Sequence, residues 1–170
     1  MSVEFNVYLL GRHPEQGPVG EGLEPLGLAV TFLSSWDTLT VQKPPRIVSG
    51  AVVGYQSTDT SEVSSLLEAR DKASLEALYA DERLALVLLD LDSAFAYSPE
   101  FEAELEDAQV ASSIRKALRG SRAVVTLRTA AKANDFSLEF QRSLWASIGI
   151  TCGGVLEDPE ESEFTDASKV

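Results

Sequence analysis

The sequence predicts an α/β domain, with α+β as the alternative class. The expected core is a single mixed sheet with antiparallel N-terminal strands, a parallel βαβαβ C-terminal half and helices packed on it. Three observations lead there. Apolar residues in the first third recur with a period of two and are joined by short connections. From residue 59 to 156 helical and strand patterns alternate, as they do where crossovers join parallel strands. Finally, 170 residues that are 44% apolar and 24% charged suit one globular domain with a sizeable core.

Val3, Phe5, Val7 and Leu9 alternate with Glu4, Asn6 and Tyr8, which predicts the first strand. Gly11 to Gly22 carries four glycines and two prolines and reads as an exposed loop. Leu28–Leu33 is a second strand, partly β-branched. Thr38–Gln42 alternates again and stops at Pro44-Pro45. Arg46–Tyr55 is a further strand, in which Gly50 and Gly54 mark a bulge or a close backbone approach.

At Asp59 the period changes, and Val63, Leu66, Leu67, Ala73, Leu78 and Tyr79 follow helical spacing. Leu84–Leu91 is nearly continuous apolar sequence, the pattern of a strand buried on both faces in a parallel sheet. Ser98-Pro99 opens one helix that runs to Leu118 and stops at Gly120. Its acids crowd the beginning and its bases the end, which suits the helix dipole. Ala123–Arg128 is the next strand. A helix capped by Asn134 or Asp135 buries Phe136, Phe140, Leu144 and Ile148, and Ile150–Leu156 is the last strand. The domain is therefore expected to span 1–156. Residues 157–170 hold six acids and one base and are expected to form a flexible acidic tail.

Charge narrows the function classes. With 27 acids against 14 bases the net charge is −13, which opposes nucleic acid and anionic membrane surfaces. It favours a basic protein partner, chiefly through the association rate, although solubility alone accounts for the same charge. No apolar run reaches the ~20 residues of a membrane span. Met1-Ser2-Val3-Glu4 lacks the basic and apolar segments of a signal peptide, so a cytoplasmic location is expected. One cysteine, Cys152, excludes an intramolecular disulfide and a multi-cysteine zinc site, and its apolar setting suits an inert thiol. One histidine, His13, excludes two-histidine metal sites.

Among motifs, Gly17 and Gly22 have the spacing of a phosphate-binding loop. Leu23 and Glu24 stand where its lysine and hydroxyl residue belong, so a surface loop is the reading. Residues 115–132 contain Arg115, Lys116, Arg119, Arg122, Arg128 and Lys132 with no acid, a possible anion patch that dipole compensation partly explains. Trp36, in a turn after the second strand, is a candidate contact residue.

Leu86-Val87-Leu88-Leu89-Asp90-Leu91-Asp92 places two carboxylates on one side of a strand end. In an open α/β sheet ligands bind at such ends, and the pair could hold Mg²⁺ through oxygen. The stretch resembles the first motif of haloacid dehalogenase-type phosphohydrolases. That resemblance implies Asp90 as nucleophile, Asp92 as general acid, Mg²⁺ as cofactor, Thr126 as the motif-two hydroxyl and Lys132 as the phosphate-binding lysine. Ser93-Ala94 follow where the family has a glycine and then Thr or Val, and the motif lies past the midpoint of the chain.

Two functions follow. The first is a non-enzymatic cytoplasmic protein that binds or inhibits a basic partner, of the immunity type, and needs no cofactor. Glu102, Glu106 and Asp107, in a stretch where five acids lie between Glu100 and Asp107 with no base among them, are its expected contacts, and Trp36 is a further one. The alternative is a Mg²⁺-dependent phosphohydrolase built on Asp90, Asp92 and Thr126.

Overall fold

A computed structural model describes residues 3–33, 47–59, 80–129 and 134–167. In chain order these form β1 (Glu4–Leu9), α1 (Gln16–Leu23), β2 (Leu28–Phe32), β3 (Ile47–Gln56), β4 (Leu84–Asp92), α2 (Pro99–Asp107) and α3 (Ser112–Arg119). There follow β5 (Ala123–Thr129), α4 (Asp135–Cys152), β6 (Val155–Asp158) and β7 (Glu163–Asp166). The strand expected at 38–42, the helix expected over 59–79, Trp36 and Lys132 lie outside the described residues.

All seven strands share one sheet in the order β2-β3-β4-β5-β1-β6-β7, and every neighbouring pair is antiparallel. The mixed α/β composition expected from sequence holds, but the parallel βαβαβ half does not exist. β4 and β5 pair antiparallel, Asp90 opposite Thr126. β5 and β6 run in the same direction, yet β1 lies between them and pairs with both.

The first physical reason is a break in the helix expected over 98–118. Uninterrupted, it would run about 30 Å and carry the chain across the sheet. Instead α2 ends at Asp107 and Gln109 adopts φ 58°, in the left-handed region. Val110 N–H bonds the Leu105 carbonyl and Gln109 N–H the Glu106 carbonyl, each at 3.0 Å. That pair of bonds is a Schellman ending with glutamine where glycine is usual. The chain turns back through α3, and β5 enters antiparallel to β4. The second reason is β1 itself. Val7 and Leu9 face one side and Tyr8 the other, all buried, so β1 is an interior strand and keeps β5 from β6.

The main core lies between one sheet face and α1 with α4. Val7, Val87, Leu89, Val125 and Leu127 meet Val19, Leu23, Phe140, Leu144 and Ile148, all at 0% exposure. Truncating such a leucine to alanine costs about 2–5 kcal/mol. The stretch expected as a loop at 11–22 therefore contains a helix. Val19 and Leu23 sit one turn apart on its buried face, and Pro18 falls in its first turn, where a missing N–H costs little. Gly22 lets α1 approach α4, since a Cβ there would stand 2.6 Å from Ser147 Oγ.

The opposite face carries a second cluster. Tyr8, Leu105, Leu118 and Val155 are buried with Phe95, Phe101, Ile114 and Phe164 around them, under α2 and α3. β4 is buried on both faces from Leu84 to Val87, but on this outer face Leu88 is 38% exposed and Asp90 and Asp92 are partly open. Its apolar run thus reflects a two-sided antiparallel strand rather than a parallel one. Residues 157–167, expected as tail, carry the end of β6, then β7 and the buried Ala167. Thr165 pairs with Leu156 and Phe164 with Glu157, so this acidic stretch extends the sheet. Among the described residues, no helix is long and apolar enough to cross a membrane.

Candidate functional site

The outer sheet face carries a row of polar side chains across five strands. Register places Ser49 (β3) beside Asp90 (β4), Asp90 beside Thr126 (β5), Thr126 beside Asn6 (β1) and Asn6 beside Glu157 (β6). Side chains directly opposite one another on one face lie close enough to interact, and here they do. Ser49 Oγ donates to Asp90 Oδ1 at 2.6 Å, and Thr126 Oγ1 donates to Asn6 Oδ1 at 2.8 Å. Asn6 Nδ2 donates to Glu157 Oε1 at 2.7 Å, and the Tyr8 hydroxyl donates to the same oxygen at 2.9 Å. Arg128 lies one row along, its Nε 3.2 Å from Glu4 Oε1 and its Nη1 3.3 Å from Asp90 Oδ2.

The row is open to solvent in its middle. Arg128 and Glu4 are about half exposed, at 47% and 48%, and Asp90 is 23% exposed. Two carboxylates, Glu4 and Asp90, thus face one arginine, and a third, Glu157, is held by Asn6 and Tyr8 at the β6 end of the row. At one end the row meets the aromatic cluster under α2, where Tyr8 packs edge-on against Phe95 and Phe101. Burial pushes the Tyr8 phenol well above its usual range, and the Glu157 carboxylate adds to the shift. Tyr8 is therefore a neutral donor that holds Glu157 in place.

The residues expected from sequence divide. Asp90, Thr126 and Arg128 do come together on this face. Asp92 lies on the same side, two positions along β4 and opposite Val124, and its Oδ1 accepts from Ala94 N–H at 2.8 Å in the following turn. Glu102 and Glu106 project from α2 towards α3, where Glu102 pairs with Arg119, and Glu106 pairs with Arg115 at 3.1 Å. Asp107 is exposed at the end of α2. His13 lines a space of about 10 Å³ with Arg12, Glu15, Pro18, Thr151 and Cys152, room for about one water. Burial pushes the Cys152 thiol up, so it stays protonated. Among the described residues, no group of three or more histidine, cysteine or acidic side chains could hold a metal ion.

Sequence reasoning did not select Ser49, Glu4, Asn6, Tyr8 or Glu157 for this site. The signal for three of them was present. Glu4, Asn6 and Tyr8 are the polar phase of an alternating strand, and a strand with that phase in an interior position must give its polar side chains partners. Compared with known proteins, the chain matches no family model, no curated protein and no solved structure.

Proposed function

We propose that the chain is a non-enzymatic binding protein, inhibitory in the manner of an immunity protein, that takes a basic protein partner on the open sheet face. The observation that carries the reading is a polar face that holds three carboxylates, Glu4, Asp90 and Glu157, and a single arginine, in a molecule of net charge −13. A rigid antiparallel sheet holds these acids at fixed spacing, so they need no ordering on binding. Pairing side chains held ready in this way loses less entropy than ordering a loop. Arg128, held between Glu4 and Asp90, is the chain's own instance of the guanidinium–carboxylate contact that the reading assigns to the partner.

The acidic helix α2 stands at the border of the same face and supplies further negative field through Glu100, Glu104 and Asp107. Glu102 and Glu106 contribute less, because α3 arginines partly neutralise them. A cytoplasmic setting accompanies the reading and suits a single buried, protonated thiol.

Affinity capture from native cytosol tests the proposal, using the wild type and the triple variant Glu4→Gln, Asp90→Asn, Glu157→Gln at low and high salt. The expected result is a basic protein retained by the wild type at low salt and lost from the variant. A neutral or acidic partner held equally by both proteins at both salts overturns it. A parallel assay with Mg²⁺ and an aryl phosphate is expected to give no turnover. Turnover that disappears in Asp90→Asn would establish the phosphohydrolase instead.

A further inference from the structure

The other side of the sheet holds a groove that the acidic face does not involve. It lies between α1 and α4 and encloses about 340 Å³, within the range of small-ligand sites. Residues 142, 146 and 150 of α4 are four apart and form one stripe along it, about 12 Å from end to end at 1.5 Å per residue. Arg142, Ala146 and Ile150 occupy that stripe, and Gly22 and Leu26 face it.

Two features mark this groove as more than a packing seam. Leu26 and Ile150 are 60% and 54% exposed, the two most exposed large apolar side chains among the described residues, and both line it. Small residues, Gly22 and Ala146, lie in the same lining. The polar groups are also unevenly distributed. Ser147 Oγ donates to the Val19 carbonyl at 2.9 Å and Thr151 Oγ1 to the Ser147 carbonyl at 2.8 Å, so both protons are committed. Ser143 Oγ has no hydrogen-bond partner among the described residues. Arg142 rests over the Phe5 ring, 5.4 Å from its centroid, and makes no ion pair among the described residues. Four other arginines, at 83, 115, 119 and 128, do pair with acids. Arg12 and Arg122 also lack an acid, but both donate to backbone carbonyls, whereas no hydrogen bond engages the Arg142 guanidinium among the described residues.

An apolar trough with an arginine free of ion pairs and an unbonded hydroxyl in its lining is complementary to an amphiphilic anion. We infer that this groove binds a small free carboxylic acid with an apolar chain. The chain would lie between Leu26 and Ile150, and the carboxylate would meet Arg142 and Ser143. Arginine is suited to this because its planar fork can take both carboxylate oxygens, while the cation–π contact with Phe5 keeps it in place. The molecule's overall negative charge opposes the ligand only weakly, since salt screens distant acids beyond about 8 Å under physiological conditions.

Titration with octanoate, octanol and octylammonium, followed by amide NMR shifts and thermal stability, tests the inference. Octanoate is expected to bind saturably, with shifts gathered at residues 22–26 and 142–151. Octanol should bind about tenfold or more weaker, octylammonium weaker still. Arg142→Gln should cost octanoate about tenfold or more in affinity and leave octanol unchanged, as loss of a charge-assisted bond requires. Ala146→Phe, which fills the trough, should abolish both. Ile150→Asp, at an exposed position, serves the same purpose should Ala146→Phe fail to fold. Absence of saturable octanoate binding overturns the inference. So does equal affinity for octanoate and octylammonium, or unchanged binding in the trough variants. Because the triple variant of the sheet face leaves this groove intact, it should bind octanoate normally.

Discussion

Gly54 shows how much a single residue decides here. It lies in the middle of β3, opposite Ala85, and a Cβ there would stand 2.1–2.3 Å from three ring carbons of Phe140. Phe140 is fully buried and its neighbours are core, so the ring has nowhere to move. Gly54→Ala is expected to cost about 1–3 kcal/mol or more by overpacking, read from chemical denaturation. Gly17→Ala is the control, since nothing lies within 4 Å of its Cβ position and it sits in α1. It should be neutral or stabilising by about 0.5–1 kcal/mol. Equal losses in the two variants would show that the Phe140 contact does not set the Gly54 effect. Two buried titratable groups set the alkaline limit of stability. Tyr8 and Cys152 both have raised pKa values in the folded state, chiefly from burial. Such a group keeps its proton when folded and loses it when unfolded, so the unfolded chain binds fewer protons at high pH. The stabilisation is complete below the unfolded pKa, about 8.5 for the thiol and about 10 for the phenol, and declines above it. Denaturation midpoints should be flat from pH 7 to about 8.5 and then fall, more steeply above about 10. Tyr8→Phe should remove the steeper part and Cys152→Ala the earlier onset. Midpoints that rise above pH 9 would contradict both assignments.

At the scale of elements, one turn governs the topology. The Schellman ending of α2 places Gln109 at φ 58°, a conformation that costs a side chain about 1–2 kcal/mol. Gln109→Gly should therefore stabilise the protein by up to about 1 kcal/mol, measured by urea denaturation, and leave the α2–α3 turn unchanged. Destabilisation would mean that the Gln109 side chain holds the turn in a way its backbone does not reveal. The same residue explains why the sequence pattern points to a parallel half that the fold lacks. A glycine at 109 would have marked a helix end, whereas glutamine, with apolar residues in helical register on both sides, let the pattern run on to Leu118. α1 was hidden for the reverse reason. Three glycines and a proline outweigh Val19 and Leu23 in the sequence pattern, yet Gly22 is there because α4 comes close, which is a tertiary fact. β2, β3, β4, β5 and the buried face of α4 were legible because their apolar positions repeat locally at a strand or helix period. The place of β1 between β5 and β6 was not, because it depends on partners more than a hundred residues away. The candidate site was legible in part for the same reason. Asp90, Thr126 and Arg128 stand on two strands that the local pattern reveals, while Asn6 and Glu157 join them only through that long-range insertion.

For the whole molecule, the open question is which acids a partner would meet first. Among the described residues, four ion-paired arginines lie beside Asp81, Glu102, Glu106 and, for Arg128, both Glu4 and Asp90. Those pairs remove local charge without altering the net −13 felt at a distance. On the proposed reading a basic partner would be drawn in by the total, and its docking would be decided by acids that still offer free oxygens on a fixed surface. Glu157 uses one oxygen for Asn6 and Tyr8, and Asp90 shares its two between Ser49 and Arg128. Glu4 is half exposed, with one oxygen on Arg128. On α2, by contrast, Glu102 and Glu106 are tied to α3, and reversing them releases Arg119 and Arg115 to take over part of the lost attraction for other acids nearby. Stopped-flow mixing with the captured partner separates the two surfaces. The association rate of the wild type should fall steeply with added salt, as screening shortens the reach of the field to about 8–10 Å. Glu4→Lys with Glu157→Lys should slow association about tenfold or more at low salt. Glu102→Gln with Glu106→Gln should change it less than twofold beyond the loss of two charges from the total. If the α2 pair proves the slower of the two, recognition belongs to the helix face, and the polar row across the sheet is a structural network that only happens to be open.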